Sequence, residues 1–189
     1  AIVATHVHAD HRSGERELAA RTEAPIYLHR SAEVGYEHRL LDDGDSISLG
    51  NVVLDIRATP GHTPESISIL ISDRSRAAEP WMVLTGDTLF CGDVGRPDFG
   101  GADDAAVLYT SLHEKLLTLP DYVEVYPAHI SGSPCGRSMS GKPSSTIGYE
   151  RRYNAALQAP TKSAFVEAVL RDLPPKPARY LETIALNRS

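Results

Sequence analysis

The chain has 189 residues, 41% hydrophobic and 23% charged, enough for one domain with a sizeable core, which excludes a disordered, fibrous or low-complexity protein. A formal charge of −6, from 25 acidic and 19 basic side chains, leaves no electrostatic footprint for nucleic acid or an anionic membrane, and neither is expected as a partner. No apolar run approaches the roughly 18 residues that span a bilayer, residues 1–5 lack the basic flank of a signal peptide, and the two isolated cysteines, Cys91 and Cys135, fit a reducing compartment, so a cytoplasmic location is expected.

Residues 2–4 are a short β-prone run that delivers the string His6-Val7-His8-Ala9-Asp10-His11 to a loop. Ser13 stands where it would cap a helix reaching about Thr22, with Glu15 and Glu17 in the first turn, where the helix dipole favours acids. Pro25 then precedes a strand over 26–28, which completes a βαβ rhythm. Alternating segments over 46–49 and 52–58 meet at Gly50-Asn51 and predict a hairpin that ends at Thr59-Pro60-Gly61-His62. Residues 66–72 alternate polar and apolar, and 81–84 are a short buried run closing on Thr85-Gly86-Asp87; both are predicted strands, separated by a polar turn over 73–80. A Gly- and Asp-rich loop over 92–104 leads to a helix over 105–119, with Val107, Leu108, Leu112, Leu116 and Leu119 on one face and Pro120 as its stop. A strand over 123–126 ends at Pro127-Ala128-His129, and a loop of small residues over 131–145 precedes helices over 146–157 and 162–173. Pro174-Pro175-Lys176-Pro177 predicts a stiff, linker-like tail over 174–189, after a domain of residues 1–173.

Four polar clusters fall where strands end: the His6 to His11 string, His62, Asp87 and His129. Loops at one edge of a sheet are where rigid elements hold ligands, so these residues are expected to converge. A lone histidine such as His29, His38 or His113 reads as a surface or hydrogen-bonded residue, but three histidines and an aspartate within six positions have little packing rationale. Imidazole and carboxylate together suit zinc or iron.

With these residues in hand, the sequence resembles the metallo-β-lactamase superfamily, whose pattern is Thr5-His6-Val7-His8-Ala9-Asp10-His11 followed by His62, Asp87 and His129 in order and spacing. Within it, Thr59-Pro60-Gly61-His62-Thr63, Thr85-Gly86-Asp87-Thr88-Leu89-Phe90 and Gly95-Arg96-Pro97-Asp98-Phe99 are similar to the persulfide dioxygenase branch. Pro127-Ala128-His129 and Gly132-Ser133-Pro134-Cys135-Gly136 resemble its bacterial members that carry a rhodanese domain after the metal domain. The chain departs from those members at Ile130-Ser131, where they usually show a smaller, glycine-containing pair.

The resemblance implies an α/β fold, the αββα sandwich, and one Fe(II) per chain held by His6, His62 and Asp87, with His8, Asp10, His11 and His129 around them as a hydrogen-bond network or a second metal site. It implies oxidation of glutathione persulfide or a similar persulfide by O2 to sulfite and thiol, with a rhodanese sulfurtransferase as a partner. The alternative is a binuclear zinc thioesterase of the glyoxalase II kind, with Asp87 bridging two zinc ions. A third reading, a degenerate metal-site domain kept as a scaffold, is disfavoured because all seven polar positions are present. Arg96 suits either a substrate carboxylate or the bracing of Asp98. Neither Cys91 nor Cys135 has a base beside it in sequence, so neither is expected to be a nucleophile. Because the family places several strands and a helix before the first motif, which here begins at His6, the sandwich is expected to lack those elements. Residues Val52, Leu54 and Ile56 would then lose cover, and an open strand edge would favour self-association.

Overall fold

The computed structural model describes residues 1–98, 102–171 and 173–189; Phe99, which closes the Gly95 motif, lies outside them. Among the described residues the strands form two sheets. Three parallel strands, β1 (Ile2–Val3), β2 (Ile26–His29) and β3 (Arg39–Leu41), make the first, in that order. The second has six, in order β4 (Ser46–Leu49), β5 (Val52–Ala58), β6 (Ile67–Asp73), β7 (Met82–Gly86), β8 (Glu124–Pro127) and β9 (Ser145–Thr146).

The alternation of side chains along β6 explains how these sheets become layers. Ile67, Ile69 and Ile71 face one way and join Leu41, Ile56, Val3 and Tyr27 in a cluster between the sheets. Leu70 faces the other way, with Val83 and Val125, into a larger cluster with Leu108, Leu112, Leu116, Ile147 and Phe165. Those last five come from α2 (Ala102–Thr110), the π-helical turn Ser111–Leu116 that continues it, α3 (Ile147–Tyr153) and α4 (Lys162–Leu170). On the far side of the first sheet, Ile26 and Leu28 meet Ala19 of α1 (Glu15–Thr22) and Ile184 of α5 (Tyr180–Arg188). The order of layers is helix, sheet, sheet, helix, the αββα arrangement that the resemblance implies.

Several local expectations are corrected. Gly14, not Ser13, stands at the N-terminus of α1, with no side-chain cap. Val107 is 41% exposed, one position off the buried stripe of Leu108, Leu112 and Leu116. The single helix expected over 146–157 breaks at Asn154, whose extended backbone ends α3 and whose carboxamide oxygen accepts from Ala156 N to start a 3-10 turn, Ala155–Gln158. Ser68 and Ser72 of β6 are buried because that strand is covered on both faces. Of the residues expected to lose cover, Ile56 is fully buried whereas Val52 and Leu54 are half-buried, and the open edge on that side of the sheet is β4, not β5. The tail read as linker-like carries α5, and the carbonyls of Pro174 and Pro175 are fixed by Arg96.

Candidate metal centre

Strand directions bring the polar clusters together. β7 and β8 are parallel neighbours with Gly86 opposite Pro127, so Asp87 and His129 leave the sheet side by side. β5 and β7 are each antiparallel to the β6 between them, so they run the same way and His62 leaves at the same edge. The Ile67 amide donates to the Thr5 carbonyl at 2.9 Å, tying the end of β1, and the ligand string after it, to the start of β6. Two glycines permit close passage. Gly61 has φ +128° and a Cβ there would lie 2.4 Å from the Cα of Leu108; a Cβ on Gly95 would lie 1.8 Å from the carbonyl oxygen of Asp87.

His6, His62 and Asp87 are buried, and their ligating atoms fall within 4.8 Å of one another. Nε2 of His62 stands 3.4 Å, and Nε2 of His6 3.8 Å, from Oδ2 of Asp87. Nδ1 of His62 donates to the Arg96 carbonyl at 2.9 Å, which fixes the tautomer and directs Nε2 toward the carboxylate. Nδ1 of His6 is hydrogen-bonded to Thr5 Oγ1 at 3.0 Å. A second group, His8, Asp10, His11 and His129, meets the same 4.8 Å limit. His129 joins the two, with Nδ1 2.7 Å from Asp87 Oδ1 and Nε2 3.1 Å from Asp10 Oδ2, while His11 Nδ1 lies 3.0 Å from Asp10 Oδ1.

The electrostatics suit cation ligation. Burial pushes the His6 imidazolium well below its usual range, and burial together with the neighbouring His11 takes His8 down to about 4, so both rings are neutral at pH 7 as metal ligation requires. Burial alone would raise Asp87, but the surrounding His6, His129 and His62 outweigh it and keep the carboxylate ionised. His129 goes the other way: burial opposes its charge, but hydrogen bonds to Asp10 and Asp87 prevail and raise it to about 10. Nδ1 of His8 is buried with no hydrogen-bond partner, a costly state for an imidazole nitrogen that a metal ion would relieve. The residues therefore fit a metal ion bound by nitrogen and carboxylate oxygen.

Arg96 is resolved between its two readings. Nε and Nη2 bind Asp98 at 2.8 and 3.0 Å, Nη1 donates to the carbonyls of Pro134 and Pro175, and Nη2 also donates to that of Pro174. All five of its N–H donors are used, leaving none for a substrate carboxylate, so the side chain is a brace.

Sequence separation concealed three residues of the site. The sulfur of Cys135 lies within 4.8 Å of ligating atoms of Asp87 and His129, contact that no local motif announces. Glu65 accepts from the Val7 amide, and Asn187 bonds the backbone of the ligand string. Burial, reinforced by the Asp87 charge, raises the Cys135 thiol, and burial raises Cys91 to about 11, so neither is a thiolate at neutral pH. Iodoacetamide at pH 7.5 should therefore alkylate both at least roughly 10-fold more slowly in the folded chain than in the urea-unfolded one. The double variant Cys91→Ser, Cys135→Ser should bind metal as the unaltered chain does; loss of the metal would make a thiol part of its ligation.

None of the helices among the described residues is long and apolar enough to cross a membrane. The sequence model of the metallo-beta-lactamase superfamily matches residues 1–129, a span that ends on His129. The mitochondrial persulfide dioxygenase ETHE1 of Bos taurus is 37% identical over 158 residues, which are 82% of this chain and 55% of the bovine protein. The chain thus spans about half the length of that relative. Of solved structures, a metallo-beta-lactamase from Staphylococcus aureus subsp. aureus COL matches with a TM-score of 0.90 at 35% identity, over 98% of this chain and 57% of that one. ETHE1 from Myxococcus xanthus matches with a TM-score of 0.84 at 32% identity, over 98% of this chain and 75% of the other. The layer order, the polar clusters at one sheet edge and the match over residues 1–129 have one meaning: the chain belongs to the metallo-β-lactamase superfamily.

Proposed function

We propose that the chain is the metal-binding part of an oxidoreductase that oxidises a low-molecular-weight persulfide, such as glutathione persulfide, with O2. The observation that carries this reading is the buried set His6, His62 and Asp87, a two-histidine, one-carboxylate triad of the kind that serves non-haem iron oxygenases. Its likeness to persulfide dioxygenases supports it. Atoms balance when one persulfide, one O2 and one water give one thiol and one sulfurous acid; the terminal sulfur loses four electrons and O2 gains them. An Fe(II) in the triad would supply the site where the persulfide sulfur and O2 meet.

The chain's own groups do the rest. His62 is oriented by the Arg96 carbonyl, and His129 holds a proton between Asp10 and Asp87 beside the triad. The buried Phe90 ring, 6.3 Å from that of His129, excludes water on one side. A cytoplasmic location and a rhodanese-type sulfurtransferase that delivers or receives sulfane sulfur belong to the same proposal.

One observation favours a second reading. His8, Asp10, His11 and His129 could hold another ion, giving two metals bridged by Asp87 and hydrolysis of a glutathione thioester. Metal analysis combined with O2 uptake decides. Iron-loaded protein should carry about one iron per chain and consume O2 with glutathione persulfide. Two tightly held zinc ions with thioester cleavage and no O2 uptake would reverse the assignment.

A further inference from the structure

The ligand string lies in residues 4–14, which form no helix or strand, yet four of its residues must present side chains in fixed directions. Backbone polar groups in such a segment need partners from elsewhere. Asn187 of α5 supplies three: Nδ2 donates to the carbonyls of His8 and His11, each at 2.9 Å, and Oδ1 accepts from the Ser13 amide at 3.0 Å. Both amide protons and the carbonyl oxygen are used, and the residue is 4% exposed. A second residue, the buried Glu65, three residues after His62, accepts through Oε1 from the Val7 amide at 3.0 Å, between His6 and His8.

Packing does not explain the Glu65 carboxylate. Oε2 of Glu65 is buried without a partner, a penalty that an apolar side chain would avoid, so the site keeps a carboxylate for what Oε1 does. α5 is itself docked. Ile184 joins the cluster around Val7 and Ile26, and the Gly35 amide donates to the Arg188 carbonyl at 2.7 Å.

We propose that Asn187 and Glu65 are positioning residues that clamp the His6 to His11 string in its ligating conformation, so that α5, 174 or more residues downstream, sets the affinity of the metal centre. They touch no reacting atom. This rests on the metal-binding reading, and the test separates the two.

Co(II) is the probe, because its visible spectrum reports ligand geometry independently of turnover. Asn187→Ala and Glu65→Met should each weaken Co(II) binding by about 10- to 100-fold and alter the visible spectrum of the bound ion. Glu65→Gln, which keeps an acceptor for Val7, and Leu186→Ala, on the exposed side of α5, should stay within about twofold of the unaltered chain. Unchanged affinity and spectrum in the first two variants would overturn the proposal, as would a Glu65→Gln variant as impaired as Glu65→Met. If either truncating variant fails to fold, amide exchange on the unaltered, metal-free chain decides. Val7 and Ser13 should be as protected as the interior amides of β6, and exchange at open-loop rates would refute the clamp. If the unaltered chain binds no Co(II), the metal reading fails and the clamp stands or falls on that same exchange measurement.

Discussion

His62→Ala and Asp87→Ala should each lower metal affinity by more than about 100-fold, because loss of a group that only orients a ligand already costs about 10- to 100-fold. Asp87 has the larger part. Its carboxylate is buried at the meeting point of His6, His62 and His129, and replacing it removes the one anionic ligand of the triad and one of the two carboxylates on His129. His29→Ala and His113→Ala should bind metal as the unaltered chain does. His29 is at the end of β2 with its Nδ1 on Ser31 Oγ, and His113 stacks on Tyr109 at a ring distance of 4.0 Å, on the helical layer. The measurement is metal content after loading and gel filtration. Equal loss in all four variants would show that the site lies elsewhere.

Arg96→Ala should be among the most destabilising single changes. The guanidinium is buried, and its removal leaves the Asp98 carboxylate and the carbonyls of Pro134, Pro174 and Pro175 without their donors. Breaking a buried pair costs about 3–5 kcal/mol. For a chain of this size that is a fall in melting temperature of order 10 °C. Arg96→Lys should recover only part of it, since an ammonium has no planar fork to reach Asp98 through two nitrogens and three carbonyls in other directions. Because the Arg96 carbonyl also orients His62, metal affinity should fall with stability in the alanine variant. A melting temperature within about 2 °C of the unaltered chain would remove Arg96 from the structural account.

Periodicity and turn chemistry made much of the fold legible. The hairpin of β4 and β5 was marked by Gly50-Asn51 between alternating segments, and the register confirms it, Leu49 opposite Val52. The metal-site candidates were legible because histidines and carboxylates at strand ends have no packing reason to be there. Strands β3 and β9, three and two residues long, were missed because an alternation needs more positions to be recognised.

By itself, then, the sequence determined most of the longer helices and strands and the seven polar positions at the strand ends, and through its resemblance to a family it implied the αββα class; β3, β9 and α5 were not read from it. Tertiary structure alone decided that Arg96 spends every donor on Asp98 and three proline-residue carbonyls, that Cys135 lies against Asp87 and His129, and that Glu65 and Asn187 secure the ligand string. The physical reason is range. A helix or strand is written in the spacing of neighbours, whereas a hydrogen bond between Asn187 and His8 joins groups 179 residues apart and leaves no periodic trace in either segment.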